Sequence, residues 1–261
     1  MSSHVLCGLD EVGRGALAGP LVAAAVILPL PHSQEFQNDL ENQANAPIRD
    51  SKKLTHLQRQ RLFQTLTQSS AQITIASISV REINTHGIGW ANKQVFINLI
   101  QEVINRHSKL SGTPDDSESI PIISGSVSGI TGIHFIVDGN LNIPSINSSA
   151  VSFPIGSNQP LSRLDPGIGN PGIDDQQPSH TNYTITCLPR ADAIYPVVSL
   201  ASIVAKVTRD QLMQELHPQH PHYSWNTNVG YGTKAHINSL RQHGPTPHHR
   251  TQFVETVLNK S

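Results

Sequence analysis

Two adjacent carboxylates, Asp10 and Glu11, are followed at once by Gly13, Arg14 and Gly15 in the run GLDEVGRGALAGP. Residues 5–9 are apolar and predict a short strand, so the acids stand where that strand leaves its sheet. Successive side chains of a regular strand point to opposite faces. For both carboxylates to serve one site the chain must turn at Glu11, and Gly13 and Gly15, which tolerate φ > 0, permit it. Arg14, between two exposed backbone amides, suits a phosphate. Carboxylates beside a phosphate cradle suggest a bridging metal ion, the chemistry of a nuclease or phosphotransferase. The plain alternative is a solvated acidic turn. A dinucleotide-binding turn fits worse. Gly13, Gly15 and Gly19 are spaced one residue too long for that fingerprint, and the following PLVAAAVILP predicts a strand where a helix is needed.

Two further acids fall at strand ends. Residues 133–137 predict a strand that runs into Asp138-Gly139-Asn140, and residues 184–188 predict another, followed closely by Asp192. Ligands of open α/β sheets gather at such ends. Asp10, Glu11, Asp138 and Asp192 together offer the charge that two divalent cations neutralise, and hard oxygen ligands favour Mg²⁺ or Mn²⁺. Two such ions about 3.5–4 Å apart clamp the attacking and leaving oxygens of a phosphodiester. Without metal the carboxylates repel one another, which favours keeping some protonated.

The elements that must hold these acids belong to an α/β layer fold, since predicted strands and helices alternate. At 261 residues one core with extensions is expected. Thr55 and Gln58 form a capping box that starts a helix, with Leu62, Phe63 and Leu66 as its inward stripe. Residues 22–27 and 72–80 predict strands. Val95, Phe96, Leu99, Ile100, Val103 and Ile104 recur at helical spacing, and residues 198–216 predict a further helix. Two short helices are expected near residues 233–242 and 251–260. The polar stretch 32–46 reads as a loop. Residues 111–132 and 148–182 read as flexible insertions, the second rich in Pro, Gly, Ser and Asn. The expected organisation is a catalytic core over residues 1–216 and a helical extension over 217–261.

Composition narrows the partners. Lys plus Arg number 18 and Asp plus Glu 19, so no global basic field advertises nucleic acid, and local patches must serve. Cys7 and Cys187 match no paired motif and read as reduced, buried thiols of a cytoplasmic protein. The apolar run 16–30 is broken by Gly19, Pro20 and Pro29 and follows acids, so no signal peptide or membrane anchor is expected. The histidines of HPQHPH, residues 217–222, lack matching ligands and read as loop residues.

The blocks GLDEVGRGALAGPLVAAAVIL, DSKKL, VDGN, ADAIYPVVSLASIVAKVTRD and GYGTKAH resemble, in order, the signature blocks of ribonuclease HII. The resemblance implies a ribonuclease H-like fold, a mixed central sheet flanked by helices, with a helical C-terminal extension. It implies metal-dependent endonuclease action on RNA–DNA hybrids and on ribonucleotides embedded in duplex DNA, in the service of replication and repair. By motif, Asp10, Glu11, Asp138 and Asp192 resemble the metal-binding acids. Gly13, Arg14 and Gly15 resemble the element that senses the ribose 2′-hydroxyl, the group that separates RNA from DNA. Tyr231 resembles the ring that stacks on the next sugar, and Lys52, Lys53, Lys206 and Arg209 resemble phosphate contacts. Ala16 stands where proline is usual and Val229 where lysine is common. A sliding-clamp partner is not legible in the sequence.

Three rival readings are distinguishable. Ribonuclease HIII shares the acids but carries an extra N-terminal domain, for which a chain whose acids begin at Asp10 leaves no room. A hybrid-binding module without catalysis would not need all four acids. A phosphate-binding metabolic hydrolase would need neither Tyr231 nor the basic block at residues 49–61.

Overall fold

The computed structural model describes residues 3–29, 34–110, 130–141, 143 and 182–259. Five strands form one sheet: β1 (Ser3–Val12), β2 (Leu21–Ile27), β3 (Gln72–Ile78), β4 (Ile130–Asp138) and β5 (Asn182–Leu188), in the order β3-β2-β1-β4-β5. β1, β2 and β3 pair antiparallel, whereas β4 and β5 add in parallel to the other side of β1. β2 reads LVAAAVI and is buried throughout, because it lies between two strands and both its faces are covered. Its alternate residues Ala23, Ala25 and Ile27 join one core cluster, and Ala24 and Val26 the other.

Eight helices accompany the sheet among the described residues: α1 (Gln34–Ala44), α2 (His56–Gln68), α3 (Val80–His86), α4 (Ile88–Leu110), α5 (Pro196–Leu216), α6 (Trp225–Asn228), α7 (Lys234–His243) and α8 (Thr251–Leu258). α4 covers one face with Val95, Phe96, Leu99, Ile100 and Val103, all buried against Val5, Cys7, Leu9 and Phe135. α5 covers the other with Val197, Val198, Leu200, Ala201 and Val204. The capping box of α2 is present as expected, with Thr55 Oγ1 accepting from the Gln58 amide and Gln58 returning to the Thr55 amide. Beyond α5, the chain folds back through Tyr223, Trp225, Leu240 and Val254 onto Leu17, Ala18 and Met213. The C-terminal segment thus packs on the glycine-rich turn that follows β1.

Several elements differ from expectation. Residues 34–44 form α1 rather than a loop. Leu40 and Ala44 are its only fully buried residues, too few for a visible period. α3 is seven residues long, short enough to hide its period, although Ser79 and Glu82 form a capping box at its start. Residues 130–132 belong to β4, not to an insertion, and Asn182 opens β5. The remainder of both anticipated insertions, 111–129 and 148–181, lies outside the described residues. Cys7 and Cys187 are free thiols on β1 and β5, with β4 between them; Cys7 is buried and Cys187 partly so.

Gly8 fixes how closely α5 approaches the sheet. A Cβ there would lie 2.5 Å from the Val197 carbonyl carbon and 2.6 Å from the Val198 nitrogen, both backbone atoms that cannot swing aside. Gly8→Ala is therefore expected to destabilise the fold by about 3 kcal/mol or more, read as a lower urea midpoint.

Candidate active site

The parallel pairing brings the acids together. The β1–β4 ladder ends at Leu9 opposite Val137, so Asp10 follows the last pair on one strand and Asp138 on the other. Asp138 pairs in turn with Leu188 of β5. A 3-10 turn, Ala191–Ala193, then carries Asp192, entered through Arg190 in a left-handed conformation (φ 61°, ψ 35°). The Ala191 amide donates to Asp138 Oδ1 at 2.8 Å, and the Ser199 hydroxyl of α5 donates to the Asp192 carbonyl. The Asp192 turn is thereby tied both to β4 and to the helix beneath it.

β1 runs on through Glu11 to Val12, with Asp10 opposite Ala24 and Glu11 opposite Ala23. The expected turn at Glu11 is thus displaced to Gly13. The acids are near one another all the same, since the Glu11 and Asp138 charges both act on Asp10 and the Asp138 charge acts on Glu11. Gly13 adopts φ 92°, and a Cβ there would meet Arg209 Nε at 2.2 Å. Gly15 has no such need: its φ is not positive and a Cβ would meet nothing within 4 Å. Arg14 and Gly15 form the exposed tip of the turn. The Ala16 amide closes that turn by donating to the Gly13 carbonyl at 3.2 Å, a bond that a proline at this position has no N–H to make.

Asp10 is 7% exposed. Burial, then the nearby Glu11 and Asp138 charges, push its carboxyl well above the ordinary range, against the Ser202 hydroxyl and the Glu11 amide, which favour the charged form. Burial raises Glu11 as well, opposed chiefly by Arg14. Asp192 is raised by burial and by Asp138 and Asp50. In all three the largest cause is burial, which penalises the charged form, and Asp138 adds repulsion at each. Among the described residues no three His, Cys, Asp or Glu side chains are arranged to hold an ion by themselves. The donor set is all carboxylate oxygen and its mutual repulsion is what a hard divalent cation relieves, so the residues fit Mg²⁺ or Mn²⁺.

Sequence reasoning missed the groups that support Asp10. Ser202 of α5 bonds the Asp10 carboxylate, and its Oγ lies 2.8 Å from Ser51 Oγ. Ser51 opens a 3-10 turn, Ser51–Lys53, that Asp50 caps by accepting from the Lys52 amide at 2.9 Å. Arg59 pins the same turn from α2 through the Ser51 and Leu54 carbonyls. A pair of hydroxyls thus docks the Lys52 turn beside Asp10. Lys52 is close enough that its charge lowers both Glu11 and Asp192. Lys53 is also exposed on this turn. Two serines in polar company carry no periodic signal, and only the fold reveals the contact between residues 51 and 202.

Tyr231 follows Gly230, whose carbonyl accepts from the Leu17 and Ala18 amides, and is half-buried, with Lys206 Nζ 5.8 Å and Arg209 Cζ 5.4 Å from its ring centroid. Lys206 is itself paired with Asp210 at 2.7 Å. Arg209 is not available to a phosphate. It is fully buried, and its donors go to the carbonyls of Pro20, Val229 and Ala18. An arginine on the helix face beneath the turn finds unpaired carbonyls there before it can reach solvent. Val229 sits in a left-handed conformation (φ 43°, ψ 37°) and packs, partly buried, against the C-terminal cluster.

Histidines shape the Tyr231 segment. Trp225 Nε1–H donates to His236 Nε2 at 3.3 Å, which leaves His236 Nδ1–H to donate to the Tyr231 carbonyl at 2.9 Å. His249 Nε2 lies 3.1 Å from the same His236 nitrogen, and burial with the neighbouring histidines pushes its pKa down to about 3. Both rings are therefore neutral near pH 7. His220, from the HPQHPH run, packs edge-on against Trp225 at 5.3 Å between ring centroids.

A mixed five-stranded sheet with helices on both faces and carboxylates at the ends of its parallel strands defines a ribonuclease H-like α/β protein. The chain belongs to the ribonuclease HII family, whose model matches residues 7–122 and 167–256. The ribonuclease HII of Wolbachia sp. subsp. Brugia malayi (strain TRS) is 34% identical over 259 residues, covering 99% of this chain and 92% of that one. The fold is similar to that of ribonuclease HII from Archaeoglobus fulgidus, solved in complex with PCNA, at TM-score 0.57 and 15% identity, covering 95% of this chain and 94% of that chain. It is also similar to Bst ribonuclease HIII, solved with Mn²⁺, at TM-score 0.53 and 16% identity, covering 99% and 70%. The family assignment makes this chain a ribonuclease H-type endonuclease and hydrolase. Among the described residues no helix is long and apolar enough to cross a membrane.

Proposed function

We propose that this protein cleaves the RNA strand of RNA–DNA hybrids and incises duplex DNA on the 5′ side of embedded ribonucleotides, leaving 3′-hydroxyl and 5′-phosphate ends. The observation that carries the reading is the convergence of Asp10, Glu11, Asp138 and Asp192 at one sheet end, between the Lys52 and Arg14 turns. Those four acids would hold two divalent ions, Mg²⁺ or Mn²⁺. When bound, such ions activate water and stabilise the departing 3′-oxygen, so no side-chain nucleophile is required.

The chain's own residues do the rest. Asp10 is held by Ser202 and by the Glu11 amide, which fix the carboxylate without neutralising it. Asp138 is fixed by the Ala191 amide. Arg14 and the amides around it read the 2′-hydroxyl by hydrogen bonds that deoxyribose cannot make. Tyr231 stacks on the following sugar. Lys52, with Lys53 on the same turn and Lys206 beside the Tyr231 ring, meets backbone phosphates. The neutral reading of a hybrid-binding module without catalysis leaves the crowding of four carboxylates unexplained. Work in the cytoplasm on products of replication follows from such a substrate.

The reading is tested with a labelled RNA–DNA hybrid in the presence of chelator, then with Mg²⁺ or Mn²⁺ restored. Cleavage that appears only with the ion supports it. Tight binding with no cleavage under any ion would establish the binding-module alternative. Lys52→Ala is expected to weaken hybrid binding at every sequence and to reduce the slope of log affinity against log salt by roughly one, as for a single phosphate contact. An unchanged slope would remove Lys52 from the interface.

A further inference from the structure

Arg209 and Arg250 are both fully buried, yet among the described residues neither forms an ion pair. The carboxylate nearest in sequence, Asp210, is bonded to Lys206. All six of their donor contacts go to backbone carbonyls. Arg209 joins Ala18 and Pro20 to Val229, at 2.9, 2.9 and 2.8 Å. Arg250 holds Gly19 through two nitrogens, at 3.1 and 2.9 Å, and reaches the Arg14 carbonyl at 3.0 Å.

These contacts lie beneath the two halves of the proposed reading surface. One half is the Arg14 turn and the other is Tyr231, two residues beyond Val229. Backbone bonds complete the frame: the Leu17 and Ala18 amides donate to the Gly230 carbonyl, Gly19 to His248, and Arg250 to Leu17. Little slack remains, since a Cβ on Gly230 would lie 2.4 Å from the Ala18 oxygen. Burying two like charges is costly, and neutral groups of similar volume commonly hold a fold together as well or better. A guanidinium offers something they lack, a planar fork that binds several carbonyls in fixed geometry. Its retained charge also suits a surface that must receive a polyanion.

We propose that Arg209 and Arg250 are positioning residues for substrate selection: they set the spacing of Arg14 and Tyr231 and so determine the preference for a ribonucleotide followed by DNA. The proposal rests on the reading that Arg14 and Tyr231 contact substrate. Neither arginine touches the reacting atoms, so their loss should redistribute activity between substrates rather than abolish it.

Two variants test this. Arg250→Lys keeps the charge but loses the two-nitrogen grip on Gly19. Asn84→Ala acts from outside, because Asn84 bonds the His249 carbonyl at 3.1 Å and the Thr251 amide at 2.9 Å on either side of Arg250. Arg250→Lys is expected to lower kcat/KM on a duplex with one ribonucleotide about tenfold, the size of one lost charged hydrogen bond, and on a continuous hybrid much less. Asn84→Ala should shift the same ratio in the same direction by a smaller factor. Amide exchange at Leu17 and Ala18 should quicken in both variants, while the thermal midpoint of Asn84→Ala stays near the parent value. Equal losses on the two substrates, or unchanged exchange at Leu17 and Ala18, would overturn the proposal. If Arg250→Lys fails to fold, Asn84→Ala decides. A parent protein that cleaves hybrid but never incises at a single ribonucleotide would refute the substrate reading instead, and amide exchange would still report whether the arginines fix the turn.

Discussion

Asp10→Asn is expected to abolish hydrolysis and, in the absence of divalent ions, to raise the melting temperature. The two effects share one cause. Asp10 is buried against Glu11 and Asp138, so its charge is unfavourable in the folded protein until a cation arrives. Its folded pKa is raised, so its contribution to stability is present at low pH and is lost as pH rises from the ordinary carboxyl value through the raised one. The asparagine variant keeps an oxygen for the Glu11 amide and for Ser202 but carries no charge to lose. It should therefore melt higher at neutral pH without metal and show a flatter pH dependence across that window. Cleavage should fall by roughly a thousandfold or more, because a ligand that stabilises transition-state charge contributes several kcal/mol. Hybrid binding should largely persist. Steady-state cleavage and calorimetry on the same two proteins check both halves, and near-parental cleavage by the variant would take Asp10 out of the site.

Tyr231→Ala is expected to depress incision at a single embedded ribonucleotide more than cleavage of a continuous hybrid. The ring is held in place from several sides: Lys206 and Arg209 lie within 6 Å of its centroid, and its carbonyl accepts from His236 and from the Thr233 amide. Stacking of an aromatic ring on a nucleotide is worth about 1–3 kcal/mol, roughly ten- to a hundredfold in kcat/KM. Tyr231→Phe keeps the ring and should restore most of the loss. Equal losses on both substrates would make Tyr231 a packing residue.

The acids were legible because each stands at or just beyond the end of an apolar run that forms a strand, and the ends of neighbouring parallel strands meet. Asp10 and Asp138 needed only the register of two strands to be placed side by side. The phosphate contacts were less legible. Lys52 and Arg209 look alike as basic residues in signature blocks, yet one is exposed beside the acids and the other is buried under the turn. Periodicity cannot tell them apart, since a helix near a polar turn buries whichever cation finds free carbonyls. Gly13 and Gly15 differ for a similar reason. Only Gly13 has a neighbour, Arg209, that leaves no room for a side chain. Ser51, Ser202 and Arg250 act across more than a hundred residues of sequence, and no local pattern signals such pairs. α1 and α3 were hidden by a sparse apolar stripe in one case and by brevity in the other.

The most direct test of the account is digestion of an end-labelled DNA duplex that contains one ribonucleotide, with Mg²⁺ or Mn²⁺ present. The expected product is a single nick on the 5′ side of the ribonucleotide, with a 3′-hydroxyl that a polymerase extends and a 5′-phosphate on the ribonucleotide. An intact duplex under conditions where a continuous hybrid is cleaved, or a nick on the 3′ side ending in a cyclic phosphate, would contradict it.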